Sequence, residues 1–180
     1  MLVPRRSPRS CWPGEYWGLI GPPVRRNVVE MSERLVELAI TEVRAAVPLR
    51  LGQEAGLAVL SETAEPFRSL HIYIGQAEAR AIQAAQRGDR PPRPSTWDLF
   101  LSAVALLDAS FIKAVINEVQ EARHFFASLE LVRDDNPFLL PCRPSDALAL
   151  VARAPEAVLY ATEEVLSAAG QYPGGSGPGR

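Results

Sequence analysis

Glycine and proline are concentrated at the two ends of this chain, and their distribution limits which part of it can fold. Of the 12 glycines and 16 prolines among 180 residues, 15 lie in residues 1–30 and 170–180. Proline removes a backbone donor and glycine loses the most conformational freedom on folding, so dense runs of both disfavour regular structure. We therefore predict a single folded domain over residues 31–170, between a disordered leader (1–30) and a disordered tail (171–180).

Formal charge divides in the same way. Residues 1–30 contain five arginines and two glutamates, net +3, and the chain as a whole is −2, so the remainder is net −5. The overall field of an acidic body does not attract nucleic acid. Any affinity for phosphate must then come from a few arginines at particular positions and from a metal ion.

The leader lacks the apolar run of a signal peptide, and no uninterrupted stretch of 18 apolar residues could cross a membrane. We therefore expect no membrane partner. One cysteine in the leader and one in the body do not make a disulfide framework, so we expect a cytoplasmic location. The leader is either disordered, a short docking peptide carrying Trp12 and Trp17, or the product of a start codon assigned before Met31.

Hydrophobic periodicity divides the body into eleven elements in the order β-β-β-α-α-β-β-β-α-β-α. The predicted strands are 35–45, 57–60, 68–75, 111–119, 124–132, 138–142 and 158–161, and the predicted helices are 76–87, 97–108, 143–153 and 162–170. Grouped strands with short helices between them indicate an α+β fold with a mixed or antiparallel sheet and about four short helices. The helix at 97–108 is apolar almost all round, which predicts burial on more than one side.

Four acidic residues stand in the first turns of predicted helices: Glu78, Asp98, Asp146 and Glu163. One interpretation is capping, in which each acid stabilises the positive end of its helix by about 0.3–1 kcal/mol. The other is that carboxylates at converging helix starts hold a divalent cation, which prefers oxygen ligands. Familiar catalytic motifs, such as a phosphate-binding Walker loop or a histidine-based zinc site, are absent from the sequence.

Two arginines share a local pattern. Arg93 and Arg143 each occur as Arg-Pro-Ser ahead of a helix with an acid in its first turn, in RPSTWD and RPSDAL. A guanidinium in this position can bind phosphate with two parallel hydrogen bonds beside the helix amides. Alternatively, each arginine pairs with the neighbouring aspartate or caps strand carbonyls.

Five segments, in this order, resemble the bacterial bifunctional nuclease family, also called the DNase-RNase domain: YIGQAEARAI, PPRPSTWDL, EARHFFASLEL, RPSDALALV and VLYATEEVLSAAG. The resemblance spans roughly residues 35–170. It implies a small α+β domain that self-associates, with a dimer favoured, and that hydrolyses phosphodiester bonds of DNA and RNA. The family's proline-rich motif usually continues Thr-His-Asp-Leu, whereas Trp97 replaces the histidine here. If that histidine is a base or a metal ligand, activity is impaired unless His124 compensates.

Three functions follow as hypotheses. In the first, a metal-dependent nuclease, Asp98 and Asp146 hold Mg²⁺ or Mn²⁺, Glu78 is a further ligand or the general base, and Arg93 and Arg143 bind the phosphate of DNA or RNA. In the second, the domain is non-catalytic and regulatory or oligomerising, and the acids are helix caps. In the third, the same arginines bind a small anion or nucleotide.

Overall fold

Seven strands and four helices follow one another in the order that the hydrophobic pattern predicts. A computed structural model of the chain describes residues 34–49, 52–89, 91–120 and 124–174. The strands are β1 (Leu35–Pro48), β2 (Glu54–Glu62), β3 (Ser69–Ile74), β4 (Ser110–Gln120), β5 (His124–Arg133), β6 (Asn136–Cys142) and β7 (Val158–Thr162). The helices are α1 (Gln76–Gln86), α2 (Thr96–Leu106), α3 (Pro144–Val151) and α4 (Glu163–Ala169). The α+β class is confirmed.

The predicted leader lies outside the described residues, as does most of the predicted tail. The described part of the tail includes Gln171, which pairs with Ser69 at the start of β3. β1 and β2 extend beyond the predicted ends because they continue to pair with each other, through Val47 opposite Ala55 and Pro48 opposite Glu54. Cross-strand hydrogen bonds determine where these strands end, and the hydrophobic pattern of one strand carries no information about its partner.

One mixed sheet contains all seven strands, in the order β3-β2-β1-β7-β4-β5-β6. Its neighbours are antiparallel except β4 and β7, which are parallel. α3 packs against β3 at one edge of the sheet and against β5 next to the other edge, so the sheet curves around this helix. The residues of α3 that are buried are mostly small or aliphatic: Ser145, Ala147, Leu148, Ala149 and Leu150.

A close contact at Gly56 fixes the position of α1 on the sheet. A Cβ atom at Gly56 would lie 2.6 Å from Ala79 Cβ and 2.8 Å from the carbonyl oxygen of Gly75. Glycine at this position of β2 therefore lets the first turn of α1 rest directly on the strand. The start of α1, which carries Glu78, is placed by this contact.

The expected burial of α2 on more than one side is wrong. Val104, which is 8% exposed, is the buried residue of this helix, whereas Leu99 is 65% and Leu106 is 85% exposed. α2 packs mainly against α3 and β4, so one side of it is covered. Apolar residues all round a helix do not determine how many elements pack against it. The prediction of burial for α2 was wrong for this reason. Within the described ranges, no helix combines the length and apolar character needed to cross a membrane.

A buried ion-pair network ties α4 to the β2–β3 edge of the sheet. Arg68, 6% exposed, donates to Glu62 Oε1 at 2.6 and 3.1 Å, and its backbone N–H donates to Glu62 Oε2 at 2.6 Å. The same guanidinium donates to both carboxylate oxygens of Glu163, at 2.6 and 3.0 Å. Glu163, which the sequence placed in the first turn of a helix, is therefore the partner of an arginine 95 residues earlier in the chain.

This network predicts that the protein loses stability in acid. Hydrogen bonds from Arg68 lower the pKa of Glu163 below its ordinary value of 4.5. Because the carboxylate is stabilised in the folded state, its contribution is complete above the pKa of the unfolded chain and is lost as the pH falls through the folded pKa. We expect Glu163→Gln to be less stable than the wild type at pH 7 and the difference to shrink below about pH 4. Urea unfolding of both proteins across this range checks it, and a difference that is independent of pH would contradict it.

Candidate functional site

A surface groove of about 470 Å³ lies where β3, the start of α1, the start of β5 and the start of α3 meet. Its lining is made of residues 72–75, 78, 120, 124–126 and 143–145. Curvature of the sheet around α3 is what brings β3 and β5 to the same groove, since the two strands lie five positions apart in the sheet order. The groove therefore combines side chains from both halves of the chain.

Glu78 lies in this groove because of the glycine three residues before it. α1 begins at Gln76, with Gly75 as its N-cap, and a Cβ atom at Gly75 would collide with the Glu78 carboxylate. The missing side chain at Gly75 leaves room for that carboxylate over the helix start. The Glu78 side chain is 21% exposed, so it contacts solvent while remaining half-buried.

Arg143 faces Glu78 from the start of α3. It is the N-cap residue, and Pro144 follows at the first helical position, where its fixed φ favours the helix. Its Nε and Nη2 donate to the two oxygens of Asp146 at 2.8 and 3.1 Å, and its Nη1 lies 3.8 Å from Glu78 Oε1. The hydrogen bonds with Asp146 raise the pKa of Arg143. The Arg143 side chain is 68% exposed, so it remains open to a ligand while Asp146 holds it.

Asp98 lies elsewhere, as part of the cap of α2. Its Oδ2 accepts from the Ser95 N–H at 2.7 Å and from the Ser95 hydroxyl at 2.5 Å, and its N–H donates back to Ser95 Oγ, which completes a capping box. These hydrogen bonds from Ser95, helped by Arg153, lower the pKa of Asp98. Asp98 borders a second cavity, between the end of α1 and the loop that contains Pro91 and Pro94. The capping interpretation describes its contacts.

Arg153 is the charged side chain next to Asp98. Its side chain is 11% exposed, and its Nε lies 3.3 Å from Asp98 Oδ1. It also donates to the carbonyl oxygens of Ala149 in α3 at 2.9 Å and Ala81 in α1 at 3.2 Å. The guanidinium lies over the ring of Trp97, 5.1 Å from its centroid. Trp97 therefore covers an arginine that joins three helices.

Arg93 is exposed on the loop between α1 and α2 and is not among the described residues that line the groove. The two Arg-Pro-Ser segments differ in register, because Arg143 caps α3 whereas Ser95, two residues after Arg93, caps α2. Identical local sequences thus start their helices at different residues. Of the five predicted site residues, the structure brings Glu78, Arg143 and Asp146 together and places Asp98 and Arg93 apart from them.

Two exposed aromatic side chains of the groove were not among the site residues predicted from the sequence. Tyr73 and Phe126 both line it and are 61% and 42% exposed. An aromatic residue in a strand is ordinarily read as core, which is why neither was selected. The exposure of Tyr73 could have been predicted from the alternation of side chains along a strand. Its neighbours Ile72 and Ile74 point to the core, so its own side chain must point away.

Asp98 and Asp146, the pair predicted to hold one metal ion, bind different arginines in the structure, Arg153 and Arg143. No group of three or more histidine, cysteine, aspartate or glutamate side chains in the described part of the chain is arranged to hold a metal. Glu78 and Asp146, which share Arg143, are the two carboxylates that converge. Such a pair fits Mg²⁺ or Mn²⁺ in kind, since these ions often bind one or two carboxylates and complete their shell with water and substrate phosphate.

The contacts of Asp98 predict a stability effect. Asp98→Ala removes a capping box and one partner of Arg153, so we expect the free energy of unfolding to fall by about 2 kcal/mol, the upper end of the range for N-cap losses. Asp89→Ala is a control, because Asp89 is an exposed aspartate whose ion pair with Arg87 lies at the surface. Urea unfolding followed by circular dichroism measures both. An unchanged free energy in Asp98→Ala would contradict the capping role.

Comparisons with known proteins find similar sequences over much of the chain. Residues 58–173 match the family model described as "Bifunctional nuclease domain". Two proteins of Mycobacterium tuberculosis, from different strains and named uncharacterized protein MT1877 and uncharacterized protein Rv1829, are each 39% identical to the chain over 130 residues. Each alignment covers 72% of this chain and 76% of the relative. The matched region contains every residue that lines the groove.

Proposed function

This chain belongs to the bifunctional nuclease domain family, and on that basis we propose that it hydrolyses phosphodiester bonds of DNA and RNA in the groove of Glu78 and Arg143. The observation that carries the proposal is the convergence of a half-buried carboxylate and an exposed, oriented guanidinium on one groove. We also propose the cytoplasm as its location, because one cysteine in the body and one in the leader make no disulfide framework.

Arg143 is the group that binds the scissile phosphate. Its planar guanidinium presents parallel N–H donors that match two phosphate oxygens, and Asp146 holds it in a fixed orientation. Glu78 accepts a proton from the attacking water as the water oxygen bonds to phosphorus. The bond between phosphorus and the sugar oxygen of the leaving strand then breaks, and that oxygen takes a proton from solvent.

Charge in the groove gives a reason for a divalent cation. Glu78, Asp146 and Arg143 together carry two formal negative charges and one positive charge, so a phosphate anion entering here is opposed by the carboxylates. Glu78 and Asp146 are the residues that would hold Mg²⁺ or Mn²⁺. When bound, the ion would supply positive charge for the phosphate and for the transition state. Glu78 is the general base in this proposal, and the alternative is that it acts only as a ligand of the ion.

A cleavage assay tests this function. We expect the purified chain to cleave labelled single-stranded DNA and RNA with Mg²⁺ or Mn²⁺ and to lose this activity in EDTA. Arg143→Ala is expected to reduce the rate by about 100-fold or more, as the loss of a donor to developing phosphate charge does. Arg133→Ala is the matched control, because Arg133 is also exposed, at 49%, and lies outside the groove. Failure to cleave either polymer with either metal would refute the proposal, and so would full activity in Arg143→Ala.

The exposed face of α2 favours a second role, self-association, which the family resemblance also implied. Leu99, Ala103, Leu106 and Leu107 recur at helical spacing and are all exposed. Residues 99–107 contain no charged side chain, so a second copy of the same face meets it without charge repulsion. Contiguous exposed leucines of this kind are typical of interfaces. We propose a symmetric dimer in which α2 packs against α2 of the partner.

Leu106→Lys tests the dimer. Because the Leu106 side chain is 85% exposed in the single chain, the substitution leaves the fold unaffected but puts a charge into the interface. We expect light scattering to give a dimer mass for the wild type and for Thr63→Lys, a control in an exposed loop, and a monomer mass for Leu106→Lys. A monomeric wild type, or an unchanged mass in Leu106→Lys, would rule out this interface.

A further inference from the structure

Two aromatic rings stand exposed at the groove that contains Arg143. Tyr73, in β3, is 61% exposed, and Phe126, in β5, is 42% exposed. Large aromatic side chains bury much apolar area when they are covered, so two exposed rings in one groove mark a surface that a ligand can cover. Both residues line the same groove as Glu78, although they come from distant parts of the chain.

The sheet holds both rings in place from behind. Tyr73 is paired with Leu57 on β2, and its two neighbours along β3 are buried in the core. Phe126 is paired with Glu118 on β4, and its neighbour Ala127 is buried. Both rings are therefore attached to paired strands, and little backbone ordering is required when a ligand covers them.

We propose that Tyr73 and Phe126 are base-stacking platforms, so that the groove takes single-stranded nucleic acid with a phosphate at Arg143. This inference rests on the proposed function and specifies its substrate. Stacking on an aromatic ring tolerates every base, because each base has a π face, and it therefore suits an enzyme that acts on both DNA and RNA. The bases of a duplex are already stacked and paired, and exposing them to these rings requires unpairing first.

The size of the groove agrees with a single strand. A space of about 470 Å³ is comparable with pockets that hold one small ligand, so it can accommodate a base or two of an unpaired strand. The remainder of the strand continues over the surface. Arg143, 68% exposed at the same groove, is placed to contact the backbone between or beside the stacked bases.

Binding measured without cleavage tests the inference. Fluorescence anisotropy with Mg²⁺ uses a labelled short oligothymidylate with cleavage-resistant phosphorothioate linkages, the same backbone without bases, and a duplex of equal length. We expect the single strand to bind more tightly than both the abasic strand and the duplex. Tyr73→Ala and Phe126→Ala are each expected to weaken single-strand binding at least about fivefold, and Tyr73→Phe, which keeps the ring, to bind as the wild type does.

Phe67→Ala is the matched control, because Phe67 is an aromatic residue with 48% exposure that does not line the groove. Equal affinity for the single strand and the abasic strand would overturn the inference, as would undetectable single-strand binding or equal losses in Phe67→Ala and Phe126→Ala. The outcome is separable from that of the proposed function. A chain that binds single strands through these rings but cleaves nothing refutes the nuclease alone, whereas a chain that cleaves with both rings removed and binds normally refutes the stacking alone.

Discussion

Replacing Arg68 by methionine is expected to lower the free energy of unfolding by about 3–5 kcal/mol. The substitution leaves Glu62, which is 5% exposed, as a buried carboxylate without its guanidinium. It also removes both hydrogen bonds to Glu163, which hold the start of α4 on the sheet. Breaking a buried pair on one side is costly because the remaining charge has lost its solvent and its partner. Urea unfolding at pH 7, followed by circular dichroism, measures the change.

Two further variants keep this prediction testable if Arg68→Met does not fold. Arg68→Lys retains the charge but not the planar fork that serves two carboxylates, so we expect a smaller loss, about 1–3 kcal/mol. Glu62→Gln in the Arg68→Met background is expected to recover part of the stability, because it removes the buried charge. Arg133→Met, at an exposed arginine, should lie within about 0.5 kcal/mol of the wild type. An Arg68→Met protein as stable as that control would show that the network contributes little.

Glu78→Gln is expected to reduce the rate of nucleic-acid cleavage at least about 100-fold while leaving the fold intact. The amide has nearly the same shape as the carboxylate, but it cannot take the proton of the attacking water and is a weaker ligand for a divalent ion. Because the side chain is 21% exposed and lies 3.8 Å from Arg143, the substitution loses a weak ion pair and little packing. Single-turnover cleavage of labelled single-stranded DNA measures the rate.

Glu164→Gln is the matched control for Glu78→Gln, since it too is a glutamate in the first turn of a helix, but exposed and outside the groove. Gly75→Ala is a second and independent variant, because a methyl group there displaces the Glu78 carboxylate without removing it. We expect Gly75→Ala to lose activity while its stability falls by no more than about 1 kcal/mol. Wild-type rates in Glu78→Gln would exclude Glu78 from the chemistry, even if other parts of the nuclease proposal hold.

The predictable parts of this protein are those that depend on neighbours in sequence. The order of the eleven elements follows from local periodicity and is confirmed. The capping box of Ser95 and Asp98 and the pairing of Arg143 with Asp146 each join residues three apart, and both were among the interpretations that the sequence offered. A contact across one helical turn depends only on the helix itself, so it can be predicted from a short segment of sequence.

The sequence by itself determined the family, the order of strands and helices, and the acids that begin each helix. Only the tertiary structure decided which of those helix starts meet. Glu78 faces Arg143, whereas Asp98 contacts Arg153 and caps α2. The same limit applies to α2, whose apolar residues gave no sign that Leu99 and Leu106 would be exposed. The physical reason is that the curvature of the sheet around α3 is set by the packing of the whole core, and no local stretch of sequence contains that sum.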